Sequence, residues 1–202
     1  MEPGSFLCTK RKKVFSFSSS ACIIEWIYKN GMLCPTREKH RPSPPGKDDF
    51  PMNRSTAREI AMHFTFELAF SDEEADRLLE RELTPDAFAQ RAKDEPMYDS
   101  FPDEGEADYI TTLVKGVGSR TEELDGYIGQ YAKGWKVTRI DRVASAIMRV
   151  TMYEILYMPD IPNKVAINEA VEIAKKYVDD DVVKFINGIL GSFVRAELPE
   201  EE

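Results

Sequence analysis

No cysteine follows Cys34 in a chain of 202 residues, and the three present, Cys8, Cys22 and Cys34, form an odd, loosely spaced set. Without a paired C-x-x-C there is neither a zinc-site pattern nor a disulfide framework. A thiol nucleophile is excluded beyond residue 34, and a cytoplasmic body is the simplest reading. Histidine is nearly absent too, with only His40 and His63. There is no H-E-x-x-H, no G-x-S-x-G and no Walker-type glycine loop. Excess positive charge is lacking: the net charge of −9 excludes a broadly basic coat for nucleic acid and leaves room only for a local patch. Period-two alternation is missing, so no strand is expected. Together these absences leave a thin catalytic inventory and point to a helical binding protein, with no metal or cofactor expected.

The charge is unevenly divided. Residues 1–51 hold nine Lys/Arg against five Asp/Glu, a balance of +4, which leaves −13 for the remainder. Lys10-Arg11-Lys12-Lys13 and the Ser-rich stretch after it imitate a signal peptide poorly, because Glu25, Lys29 and Asn30 interrupt the apolar part. The stretch is also too short and polar to cross a membrane. R-P-S-P-P-G-K-D-D-F-P then carries no periodicity. Residues 1–51 are predicted to be a disordered extension translated upstream of the true start, Met52. Gly46-Lys47-Asp48 fits this, since its codons can supply a purine-rich ribosome-binding core. Residues 52–197 form the expected domain and 198–202 an acidic tail.

From Asn53 the apolar spacing is helical. Asn53 or Ser55 can cap a first helix whose stripe is Ala57, Ile60, Ala61, Phe64 and Leu68. Ser71-Asp72-Glu73-Glu74 and Thr84-Pro85-Asp86 open two short helices. One long helical stretch is expected over 106–132, although Gly116, Gly118 and Gly126 weaken it. Thr138 can cap the next, which carries Ile140, Val143, Ala144, Ile147, Met148, Thr151 and Ile155. The fold class expected is all-α, with about seven helices packed ridge into groove.

Two more helices lie in 162–190. Pro162 suits a first turn and Asn163 can cap it. Val165, Ile167, Ala170, Val171 and Ala174 form the predicted buried face of the first. Asp179-Asp180-Asp181 offers a carboxylate cap to the second, with Val182, Ile186, Ile189, Leu190 and Phe193 buried and Phe185 at the edge. Asn168 and Asn187 are poor helix formers placed mid-helix, and Gly188 follows directly.

Carboxylates are plentiful but read as solvated caps. Glu169 and Glu172 could share a metal, yet no histidine stands at helical spacing, so a solvated face is the better reading. Arg54 and Arg58, spaced i, i+4 near a helix N-terminus, are placed to meet phosphate, with His63 partly round the helix. A solvated face is the bland alternative. A small basic cluster on an acidic protein suits short single-stranded RNA, not duplex coating.

Three blocks carry a resemblance: A-R-E-I-A-M-H-F-T-F-E-L, A-I-M-R-V-T-M-Y-E-I, and P-N-K-V-A-I-N-E-A-V-E-I-A-K-K-Y with K-F-I-N-G-I-L. Over Met52 to Arg195 the chain resembles the NusB family of bacterial transcription antitermination factors. The resemblance implies two packed helical bundles and no enzyme activity. It implies binding of single-stranded boxA RNA from ribosomal RNA leader transcripts, together with the small-subunit ribosomal protein NusE. Through other Nus factors it implies contact with the RNA polymerase elongation complex, and in some members a homodimer. Matching RNA-binding positions are Arg54, Arg58, His63, Lys164 and Asp181; an aspartate there would cap or hydrogen-bond a base edge. This chain carries fewer arginines in its first helix than many relatives. Matching NusE-contacting positions are Phe66, Ala144 and Phe185, with Ala144 standing where relatives often have an acid. Asn168, Asn187 and Gly188 are expected to be internal, joining helices and allowing close backbone approach. The alternatives are a helical protein–protein scaffold that never meets RNA, and the NusB-like module of an RNA cytosine methyltransferase. The second is disfavoured because nothing like a methyltransferase follows Arg195.

Overall fold

Helix α6, Arg142–Tyr157, organises the domain, because it is apolar almost all the way round. Twelve of its 16 residues are buried, and α1, α4, α5, α7 and α8 all pack against it. The computed structural model describes residues 52–71, 73–132 and 140–198. Among them are eight α-helices: α1 Arg54–Leu68, α2 Ala75–Glu82, α3 Pro85–Arg91, α4 Glu104–Ser119, α5 Thr121–Tyr131, α6, α7 Asn163–Tyr177 and α8 Asp180–Glu197. A single 3-10 turn, Pro96–Tyr98, precedes α4. The described residues contain no strand. The expected all-α architecture is what the chain adopts: α1–α4 form one bundle and α5–α8 the other, joined along α6.

Local signals account for several boundaries. The Asn53 side chain accepts from the Thr56 N–H at 2.9 Å and starts α1. Thr84 accepts from the Ala87 N–H at 3.2 Å with Pro85 behind it, which starts α3 as expected. Asp141 accepts from the N–H groups of Val143 and Ala144, at 2.8 and 3.1 Å, and starts α6. Thr138, expected to cap that helix, lies outside the described residues, as do residues 1–51.

Four expectations need correction. The stretch 106–132 is two helices, because Arg120 adopts φ −124° and ψ 21° and ends α4. Asn163 does not cap α7: Pro162 holds the cap position and no side chain bonds there. The face of α7 that is buried is Ala166, Ala170, Ile173 and Ala174, and Val165 is 47% exposed. In α8 the buried valine is Val183, with Val182 only partly covered. In α8 the other four expected residues, Ile186, Ile189, Leu190 and Phe193, are buried, and in α7 Ala170 and Ala174 are, so both differences lie at the edges of broad apolar arcs.

Candidate nucleic-acid and partner interface

The first turns of α1 carry the predicted arginines, and the structure sends them in different directions. Arg54 remains 48% exposed at its side chain; its guanidinium lies 4.1 Å above the Tyr109 ring and its Nε 3.4 Å from a Glu106 carboxylate oxygen. Arg58 is 2% exposed. Its Nε donates to both carboxylate oxygens of Glu154 at 2.9 Å, and Nη1 donates to Glu169 at 3.2 Å. The Tyr109 hydroxyl donates to the same Glu154. Burial opposes the guanidinium's charge, but the bond to Glu154 and its negative charge outweigh that and hold the group above the ordinary arginine range. Arg58 therefore faces inward and binds α1 to α6 and α7, where an exposed phosphate ligand was expected. Ser55 adds a bond to Glu169 at 2.5 Å. Glu172 pairs instead with Lys175 at 2.5 Å, so the two α7 carboxylates serve different partners.

His63 is likewise internal. Nδ1 lies 3.1 Å from the Tyr98 hydroxyl and Nε2 2.8 Å from that of Tyr177. Tyr177 in turn donates to Glu59 at 2.8 Å, so its oxygen is free to accept from His63 Nε2–H, and Nδ1 accepts from Tyr98. Burial, with the charges of Arg91 and Lys176, pushes the imidazole down to about 3. A neutral, doubly bonded ring is a bundle joint rather than a phosphate contact.

Lys164 and Asp181 are at the surface, as their expected roles require. Lys164 is exposed in the first turn of α7. Asp181 is exposed in the first turn of α8 and pairs with Lys184 at 3.0 Å. Asp179, at the cap position, makes no side-chain bond to the helix, so the acidic run acts on α8 through charge alone.

Of the three partner-facing positions, Phe185 keeps accessible surface while packing against the core. Phe66 is 4% exposed, its ring 4.8 Å from that of Phe70 in an edge-on contact. Ala144 is fully buried in the first turn of α6. Neither Phe66 nor Ala144 presents the outward surface expected of it, because α1 and α6 are the two most enclosed helices.

The asparagines are the reverse case. Asn168 and Asn187 are both exposed, and neither side chain bonds to another described residue. A Cβ placed on Gly188 would meet nothing within 4 Å, so no backbone approaches it closely. The internal joint expected of all three is absent. The two asparagines instead line one cleft between α7 and α8, of about 420 Å³, with Lys164, Lys184, Ile167, Val171 and Val183. Sequence reasoning also missed Glu154 and Tyr109. A signal was available: Glu154 is the one acid on a mostly apolar helix, between Tyr153 and Ile155, and a buried carboxylate needs a cation.

The model of the NusB family matches residues 55–195. The transcription antitermination protein NusB of Acetivibrio thermocellus is 40% identical over 147 residues, covering 73% of this chain and 92% of the relative. That of Clostridium novyi is 36% identical over 145 residues, covering 72% and 100%. Among solved structures, Thermotoga maritima NusB superposes with a TM-score of 0.60 at 26% identity, over 73% of this chain and 94% of that one. A structure of antitermination factors NusB and NusE in complex with dsRNA gives a TM-score of 0.58 at 20% identity, over 71% and 96%, and speaks to the fold alone.

Proposed function

The chain belongs to the NusB family, and from that premise we propose that it is a transcription antitermination adaptor. It binds boxA RNA of ribosomal leader transcripts together with NusE, and the assembly joins elongating RNA polymerase in the cytoplasm. The activity is binding, not catalysis. The observation that carries this reading is the extent of the match: the family model spans α1 to α8, and the antitermination proteins that match are covered almost end to end.

Within that function the residues divide by exposure. Arg54, Lys164 and Asp181 have surface to offer RNA. Arg58 and His63 act behind them, fixing the helix that presents Arg54. Phe185 is the NusE contact of the three expected, while Phe66 and Ala144 set how α1 and α6 pack. An electrophoretic shift of boxA RNA, with and without NusE, tests the proposal. Sequence-selective binding that NusE strengthens is expected; no selective binding in either condition would leave a protein scaffold.

A further inference from the structure

The cleft between α7 and α8 has a composition that packing does not explain. Its floor is aliphatic, formed by Ile167, Val171 and Val183. Its walls present one carboxamide from each helix, Asn168 and Asn187, each exposed and without a hydrogen-bond partner among the described residues. Mid-helix asparagine lowers helix stability relative to alanine, and here no internal hydrogen bond compensates either residue. Lys164 and Lys184 complete the lining. Lys164 makes no ion pair among the described residues, and Lys184 bonds Asp181 at 3.0 Å in a fully solvated pair, which is worth little and can exchange for a phosphate. On a chain of net charge −9, this is a local cationic lip.

We infer that this cleft holds one splayed-out nucleotide of a single-stranded RNA. The base lies on the aliphatic floor, its edge meets the Asn168 and Asn187 carboxamides, and its flanking phosphates meet Lys164 and Lys184. A carboxamide is both donor and acceptor, so it can pair with the edge of an unstacked base, as single-stranded recognition requires. Two lysines can hold phosphate without fixing sequence. The cleft is of the size and part-apolar character of small-ligand sites. The larger cleft of about 830 Å³ between α1, α2, α4 and α6 is unsuited to the same ligand. Its lining carries three carboxylates, Glu73, Glu74 and Asp76, against two cations, Lys115 and Arg149, and Arg149 is held by Asp125 at 2.7 Å in a largely covered pair.

The inference rests on the RNA-binding reading above and adds to it which residues read the base. The test uses the whole chain with NusE, a boxA oligonucleotide and a scrambled oligonucleotide of equal length. In Asn168→Ala/Asn187→Ala, affinity for boxA should fall about tenfold or more, with scrambled RNA and the salt slope unchanged. In Lys164→Ala/Lys184→Ala, both RNAs should weaken together and the slope should shrink. Alanine at exposed helical positions raises helix propensity, so thermal unfolding at or above the parental temperature confirms that folding is intact. Undiminished discrimination in the asparagine variant overturns the inference and leaves antitermination untouched. Loss of NusE affinity in that variant, measured without RNA, makes the cleft a protein contact and also overturns it. If the parental protein shows no selectivity, the inference and the proposed function fall together.

Discussion

Replacing Arg58 distinguishes a phosphate ligand from an internal post. The side chain is 2% exposed and faces Glu154, which is fully buried, and Glu169, which is partly so. In Arg58→Met the aliphatic length survives but Glu154 keeps its charge with only the Tyr109 hydroxyl to satisfy it. Removing one partner of a buried ion pair costs about 3–5 kcal/mol, because the other charge is left desolvated. The tyrosine bond places this site toward the lower end. Against a typical domain stability of about 5–15 kcal/mol, the loss is large. Urea unfolding followed by circular dichroism reads it as a lower midpoint at unchanged slope. Adding Glu154→Gln to the variant should recover part of the loss, since the uncompensated charge is then gone. Salt dependence of RNA binding, measured where the variant is still folded, should match the parent. Arg54→Ala should do the opposite: parental stability, with the slope of log affinity against log salt reduced by about 0.7 for one lost phosphate contact. The reasoning fails if Arg58→Met unfolds within about 1 kcal/mol of the parent while its salt slope drops as the Arg54 variant's should. That result would mean that Arg58 leaves its pocket to meet RNA.

Three other perturbations separate the remaining roles. His63 stays neutral in the fold down to about pH 3 against an ordinary 6.5, so below pH 6.5 the unfolded chain binds a proton that the folded chain refuses. This group's stability is therefore complete above pH 6.5 and lost as pH falls toward 3, at about 1.4 kcal/mol per pH unit. Urea midpoints at pH 7.5, 6 and 5 should show a shallower decline in His63→Gln, and parallel declines would count against the assignment. A Cβ on Gly116 would sit 2.0 Å from the Tyr153 ring, so Gly116→Ala should cost about 1–3 kcal/mol in thermal or urea unfolding despite its better helix propensity. Phe185→Asp should abolish NusE binding in calorimetric titration with helical circular dichroism intact; a collapsed spectrum would make Phe185 a core residue.

The fold class was legible because helical spacing, and for α1 and α3 the caps, do not depend on neighbours; the division of α4 from α5 and the start of α7 were not marked in that way. Asn53, Thr84 and Pro85 stand where local chemistry requires them. What could not be read was the edge of each apolar arc. Helix α7 is apolar at 165, 166, 167, 170, 171, 173 and 174, an arc wider than one neighbour covers. Which edge is buried depends on where α6 and α8 lie against it. Asn168 stands outside the expected apolar face; its expected internal role rests on its being a poor helix former mid-helix, and it faces solvent. Arg58 shows the same limit from the other side. Arg54 and Arg58 are equivalent by spacing, and only the buried acid 96 residues later decides that one is a post. A charge pair across that separation has no local signature except Glu154 itself, an acid among apolar neighbours on α6.

These placements change how RNA recognition on this surface must be divided. With Arg58 and His63 internal, the cations left near the first turns of α1, α7 and α8 are Arg54, Lys164 and Lys184, while the exposed Lys175, Lys176 and Arg195 lie toward the far ends of α7 and α8. Three phosphate contacts to a single strand give a salt slope of only about −2, and they act within a body whose residues beyond 51 carry −13. Electrostatics of that size positions RNA but does not select it. Selection then has to come from groups that read edges and from a partner that adds contacts. On the proposed reading the first requirement falls to exposed carboxamides held on two helices packed against α6, and the second to Phe185, two residues before Asn187 on α8 and about 200° around it. Base edge and partner are therefore met, on that reading, by two different faces of α8, Asn187 on one and Phe185 on the other, so Phe185→Asp should remove NusE affinity while Asn187→Ala leaves it at the parental value.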